Sequence, residues 1–332
     1  MAGIRALRSI RLGRETTAGS AVAAAKYFRG TGTIEDQREV TFVEEDVGYL
    51  SGLGRVYTPR YMAALSMDST PATFEQLPYI LSCGVKQDTA GEVEGSGYKY
   101  TFTFPTTATN TIDTVTIEAG DDTQAEEMEY AFVQSFTLEG NAGEALMMSA
   151  DWVGRQVATC TFTTTATIPS VEEILFSKGT VYIDAVTGTM GTTEKSCTLL
   201  GMNLSVNTGL VPVYAAGSNL YFCTHDWTMP EITCELTFRH DATGVAEIAA
   251  WKAETPRQIS IKFEGTALTT AGTTFDASTL AINMAGLWES FGKIDEQDGL
   301  DVVSGTFRAR YDSTCSKFAE ILVCNLNSTM GI

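Results

Sequence analysis

The chain has 332 residues, enough for two domains with sizeable cores, and its 44% hydrophobic against 19% charged content excludes a disordered chain. A formal net charge of −19 argues against a protein that grips nucleic acid by its phosphates, which takes clustered Lys and Arg. No apolar run approaches the roughly 18–20 residues of a membrane helix, no secretory signal is visible, and the seven scattered cysteines form no paired framework, so assembly in a reducing cytoplasm is expected.

Residues 1–35 read as an N-terminal arm. Arg5, Arg8, Arg11 and Arg14 recur at every third position with Ile4, Leu7 and Ile10 between them, and no acid appears before Glu15. Four arginines beside an acidic body suggest a strand that docks on a neighbouring copy. On that reading the arm is ordered only after assembly, and deleting residues 2–14 leaves a folded protein.

Residues 36–165 read as a first module. A strand over 40–43 runs into a glycine-rich loop holding Tyr49 and Leu53, an inter-subunit loop candidate. Gly52-Leu-Gly54 lacks the third glycine and the lysine of a phosphate cradle. Residues 61–68 alternate as a strand. Thr70 then reads as N-cap and Pro71 as the first helical position, with Phe74, Leu77 and Leu81 on one stripe and Gly84 as the stop. Residues 98–104 read as a further strand with aromatic residues on one face. The acids Glu118, Asp121, Asp122, Glu126, Glu127 and Glu129 miss the spacing of a calcium loop and read as a solvated face, and Glu118, Asp121, Asp122 and Glu139 are candidates to face a shared space.

Residues 166–197 read as a linker with a short helix over 168–178 and a strand over 181–186, and residues 198–332 as a second module. Its long loop after Asn207 carries Val211 and Tyr214, a second pair of inter-subunit candidates. Residues 233–238 alternate, Asp241 caps, Val245, Ile248 and Trp251 form a stripe, and residues 258–263 alternate again. Leu65, Phe74 and Leu77 match Leu236, Val245 and Ile248 at one constant offset. Downstream, Leu138-Glu-Gly-Asn-Ala-Gly143 matches Ile294-Asp-Glu-Gln-Asp-Gly299, whose Asp295, Glu296 and Asp298 join the channel-lining candidates. Two blocks repeating in one order predict two copies of a strand–helix–strand–hairpin module.

Catalytic signatures are missing from the sequence: no Gly-x-Ser-x-Gly elbow, no HExxH helix, no CxxC pair. His225 and His240 with Cys223 and Cys234 make a conceivable zinc set without the paired spacing of zinc motifs. No enzyme, cofactor or metal is expected.

Gly13-Arg-Glu-Thr-Thr-Ala-Gly-Ser-Ala-Val-Ala-Ala24 resembles the opening of major tail tube proteins of long-tailed (siphovirus-type) bacteriophages, and Phe74-Glu-Gln-Leu-Pro-Tyr-Ile-Leu81 is similar to the helix that follows it in that family. The resemblance implies a mainly β protein: two similar β-sandwich or part-barrel modules, each with one short outer α-helix. It further implies a virion protein that stacks into rings forming the tail tube. Its partners would be itself, the tape-measure protein and the tail terminator, with DNA in transient passage and no membrane. Tubes of this kind carry six modules per ring, so a duplicated chain predicts a trimeric ring. The other class that the composition allows is a β-sandwich carbohydrate-binding module or glycan hydrolase. That class needs an exposed aromatic platform drawn from Trp152, Trp227, Trp251 and Trp288.

Overall fold

The computed structural model describes residues 3–52, 54–88, 90–217, 219–297 and 299–332, and these are mainly β. The first half of the chain contributes β1 (Ser9–Arg14), β2 (Lys26–Phe28), β3 (Gly32–Asp36), the short hairpin β4 (Thr41–Phe42) and β5 (Val56–Tyr57), β6 (Ala63–Pro71) and helix α1 (Leu77–Gly84). It continues with β7 (Glu92–Glu94), β8 (Gly97–Thr103), β9 (Val115–Gly120), β10 (Ala125–Asn141), β11 (Met147–Gly154) and β12 (Val157–Cys160). The second half contributes β13 (Gly179–Ala185), β14 (Leu199–Asn207), the hairpin β15 (Leu210–Val213) and β16 (Thr224–Trp227), β17 (Glu231–Arg239) and helix α2 (Ala242–Lys252). After these come β18 (Arg257–Ala267), β19 (Ala277–Phe291), β20 (Asp295–Gln297), β21 (Leu300–Ala309) and β22 (Ala319–Asn325).

Strict alternation builds the main sheet. In β17, Ile232, Cys234, Leu236 and Phe238 turn inward, while Glu231 and Glu235 turn out. Antiparallel pairing orders this sheet β3–β6–β11–β10–β14–β17–β21–β19. Two smaller layers cover its apolar face: β2–β1–β9–β10–β12 over the first half and β13–β18–β19–β22–β8–β7 over the second. The long strands β10 and β19 belong to a covering layer at their N-terminal ends and to the main sheet at their C-terminal ends. Each slips register on the way, between Val133 and Ser135 and between Trp288 and Ser290. One continuous core, including Trp152, Phe136, Phe263 and Phe307, fills the space between the layers.

The bulges give the repeat its true register. Val133 and Trp152 pair in the first half as Trp288 and Phe307 do in the second. Matching pairings then carry β1 onto β13, β3 onto β14, β6 onto β17, β9 onto β18, β11 onto β21 and β12 onto β22. The two halves therefore share one pattern of strand pairing, and its register departs from the sequence alignment in detail. Leu65 corresponds to Cys234 instead of Leu236, a slip of two that leaves every side chain on its own face. The counterpart of β18 is β9. Strand β8, which the alignment placed there, is an insertion of the first half whose free edge pairs with β22.

Other boundaries move as well. Thr70 and Pro71 still belong to β6, and the turn that leads into the helix starts at Thr73, whose carbonyl accepts from Leu77 N at 3.2 Å and whose hydroxyl accepts from Gln76 N at 3.3 Å, much as Asp241 Oδ1 accepts from Gly244 N at 3.2 Å. Helix α1 is not an outer helix: all its residues are buried against the sheets. Helix α2 is half-exposed. It buries Gly244, Glu247 and Ala250 and leaves Val245 in solvent, because Glu247 turns inward to accept from Trp288 Nε1 at 2.9 Å and to pair with Arg257 at 3.1 Å. The expected helix over 168–178 shrinks to one 3-10 turn at Phe176–Lys178, and β13, assigned to a linker, is the first strand of the second module.

The arm is the largest correction. Strands β1, β2 and β3 are integral to the first module, and Ile10, Leu12 and Phe28 lie in its core. Buried acids tie the halves together. Glu94 of β7 accepts from the amides of Thr274 and Phe275 and from the Thr273 hydroxyl, with Lys99 nearby. Burial alone would raise its carboxyl, but those hydrogen bonds and Lys99 hold it below the ordinary glutamate value of 4.5. A depressed folded value means stability that is present above pH 4.5 and lost as pH falls through the folded value. Glu94→Gln is expected to lower stability near neutrality and to flatten its fall below pH 4.5, read by melting across pH.

Candidate functional site

The outer face of the main sheet is polar from edge to edge. One cross-strand row runs Thr33, Ser66, Asp151, Ser135, Asn207, Glu231, and a second runs Glu139, Asn203, Glu235, Thr306, Ser290. Hydroxyls and carboxylates interlock along them: Ser66 and Ser135 both donate to Asp151, at 2.6 and 2.9 Å, and Thr137 meets Ser149 at 2.7 Å. Glu35, Asp68, Glu139, Asp151 and Glu235 are exposed. Of the basic residues on this face, Arg308 is already paired with Glu231 and Glu289. The face presents oxygen acceptors and negative charge and, among the described residues, no nucleophile–base pair.

The seam between the modules is the second feature of this sheet. Strands β10 and β14 pair in unbroken register from Ser135–Asn207 to Asn141–Gly201. Their counterparts are left open. Among the described residues β3 pairs on one edge only, with β6, and β19 beyond Gly286 pairs on one edge only, with β21. Asp68 N donates to Thr31 O and Gln37 N to Met62 O, so the odd positions of β3 face β6 and the amides of Gly32, Ile34 and Asp36 point to the open side.

No protein-family model matches the chain, and no curated protein matches it.

The sequence-derived site residues scatter over this frame. Of the channel-lining acids, Glu139 stands on the polar face, 3.4 Å from Ser69 Oγ. Glu118 is buried and cannot line anything: it accepts from Thr163 N at 2.8 Å and Ala24 N at 3.3 Å. Asp121 and Asp122 sit in the β9–β10 turn of a covering layer, where Asp122 accepts from Ile4 N. Asp295 and Glu296 are exposed on β20 at the open edge, and Asp298 lies outside the described residues. Sequence reading missed Glu35, Asp68, Asp151 and Glu235, although each stands at an outward position of an alternating strand.

Among the inter-subunit candidates, Arg11 stacks on Tyr27 and Phe162 at 4.5 and 4.1 Å, and Arg14 pairs with buried Asp113 at 2.7 Å. Both are engaged within the chain, while Arg5 and Arg8 are exposed. Tyr49 is 69% exposed in the β4–β5 hairpin, and Leu53 lies outside the described residues. Val211 and Tyr214 belong to the β15–β16 hairpin, which folds back on its own chain: Tyr214 Oη donates to Tyr61 O at 3.2 Å.

The tryptophans form no platform. Trp152 and Trp288 are buried, and the ring N–H groups of Trp227 and Trp251 donate to the carbonyls of Asn110 and Glu289. Among the described residues no three His, Cys, Asp or Glu side chains gather as metal ligands, and no helix is long and apolar enough to cross a membrane.

Proposed function

We propose that the chain is a ring-forming structural subunit of the phage tail-tube kind. The observation that carries this reading is the β10–β14 seam, whose two edges recur, unpaired, on β19 and β3. Repeating the seam between copies joins residues 290–296 of one chain to residues 31–37 of the next, and places Phe291 opposite Asp36. Such a contact is head-to-tail, and it closes into a ring when the rotation permits. With two modules in each chain, three chains supply six. The acid-rich face then surrounds the passage for DNA and tape-measure protein, and repels phosphate over a Debye length of roughly 8 Å at physiological salt. A terminator would cap the stack. The same closure removes two exposed sheet edges that otherwise invite aggregation.

Electron microscopy and mass measurement of the purified chain test this. Rings or tubes with the mass of three chains per ring are expected; a chain that stays monomeric overturns the proposal, and six chains per ring overturn the trimer. Asp36→Pro removes one outward N–H and no bond to β6, so it is expected to melt like the wild type and to form rings at least about tenfold less readily. Unchanged ring formation by that variant would refute the edge pairing.

A further inference from the structure

Each module carries an extra hairpin between the same two strands: β4–β5 between β3 and β6, and β15–β16 between β14 and β17. The second hairpin is seated on the first module. Phe222 is fully buried there, edge-on to Tyr130 at 5.2 Å and to Phe132 at 5.9 Å. Arg155 clamps it, donating from Nε to Phe222 O at 3.0 Å and from Nη2 to Cys223 O at 2.7 Å, while its guanidinium lies 4.4 Å over the Tyr130 ring. Tyr61 N completes the seat by donating to Leu220 O.

Among the described residues the first hairpin has no such cover. Phe42 is 74% exposed, and Tyr49, Leu50, Val56 and Tyr57 are exposed with it. Glu44 and Asp46 add negative charge near its tip.

The seat itself is duplicated. By the bulge register Val153 and Arg155 correspond to Arg308 and Arg310, and by the β6–β17 register Tyr61 and Met62 correspond to Pro230 and Glu231. These four second-module residues line one open groove of ≈ 730 Å³, together with Met229, 80% exposed, and Tyr311, 55% exposed. The Arg310 side chain is exposed and, among the described residues, makes no hydrogen bond or ion pair, whereas its counterpart Arg155 holds two carbonyls.

We infer that the β4–β5 hairpin of one copy docks in the Arg310 groove of a second copy of this chain, as β15–β16 docks on the first module within one chain. The occupant follows from the interface already present inside the molecule, and the charges agree: an acidic hairpin meets an unpaired arginine. Arg310 then grips hairpin carbonyls and the acidic tip, and the apolar hairpin residues cover Met229 and Tyr311. Desolvation of that arginine against carbonyl oxygens makes it the contact whose loss weakens association most. The identity of the partner rests on the ring-forming reading.

The experiment uses the full chain with benzoylphenylalanine at position 42, irradiated in the assembled state, with cross-links mapped by mass spectrometry. Cross-links to residues 227–232 or 308–311 of another copy are expected. Arg310→Glu is expected to weaken association on the order of thirtyfold without changing the melting temperature, and Glu44→Arg with Asp46→Arg to restore it in that background. A wild-type chain that is monomeric at every concentration overturns the ring reading and the docking with it. A wild-type chain that assembles while position 42 cross-links elsewhere, or while Arg310→Glu assembles normally, overturns the docking alone.

Discussion

Deleting residues 2–14 is expected to abolish folding. Strand β1 pairs with β9 along its whole length, from Ser9–Gly120 to Arg14–Val115, and with β2 on its other side. Its loss takes Ile10 and Leu12, both buried, out of the core, and with them roughly 1.5–3 kcal/mol of transfer free energy each. It also bares the inward faces of Val115, Ile117 and Ala119 and leaves Asp113, buried beside Ser82, without the arginine at its rim. The sum exceeds about 5 kcal/mol, which is comparable to the whole stability of an ordinary domain. Circular dichroism and thermal melting of the truncated chain check it, and a soluble, cooperatively melting truncation would sink the claim.

Glu15→Ala is expected to cost about 3–5 kcal/mol, the second largest effect. The Glu15 carboxylate is buried and accepts from Tyr130 N at 2.7 Å, Gly19 N at 2.7 Å, Thr114 Oγ1 at 2.8 Å and Thr116 Oγ1 at 3.1 Å. Tyr130 holds a left-handed backbone (φ 54) where β10 slips register against β9, a conformation costly for a side chain with a Cβ. Removing the carboxylate leaves buried donors unpaired and lets that strained residue relax. Because Tyr130 also seats Phe222, the variant is expected to loosen the β15–β16 hairpin as well as lower the melting temperature. Hydrogen exchange at residues 220–227 distinguishes the two effects. A melting temperature within a degree or so of wild type would contradict the assignment.

The strands were legible where one face is apolar and the other polar, as in β6, β8, β17 and β21, and so was the Asp241 cap. The register of the repeat was not. A slip of two in a strand leaves the pattern of faces intact, and the helix match erred by three residues, close to one turn, so Phe74 was set against Val245 where Leu77 belongs. The arginines at every third position of the arm hid a period of two: Ile10 and Leu12 go inward while Arg11 covers aromatic rings outside. Glu118 read as a surface acid because nothing in its neighbourhood announces that Thr163, 45 residues on, turns back to hydrogen-bond it. The seam was invisible for a simpler reason. An open sheet edge is defined by strand order, and strand order depends on bulges that leave no mark in composition.

Strands β10 and β19 each pass through a bulge from a covering layer into the main sheet. Most stacked sheets are coupled by side chains alone, which can slide past one another under load. Here two unbroken lengths of main chain stitch the layers together, one in each module. A shear force applied along the polar sheet is carried into the outer layers through covalent bonds and ladder hydrogen bonds, and the layers cannot glide without tearing a strand from its neighbours. The molecule therefore resists shear as a unit, and the directions left compliant are the twist of the paired modules about the β10–β14 seam and the swing of the uncovered β4–β5 hairpin at its rim.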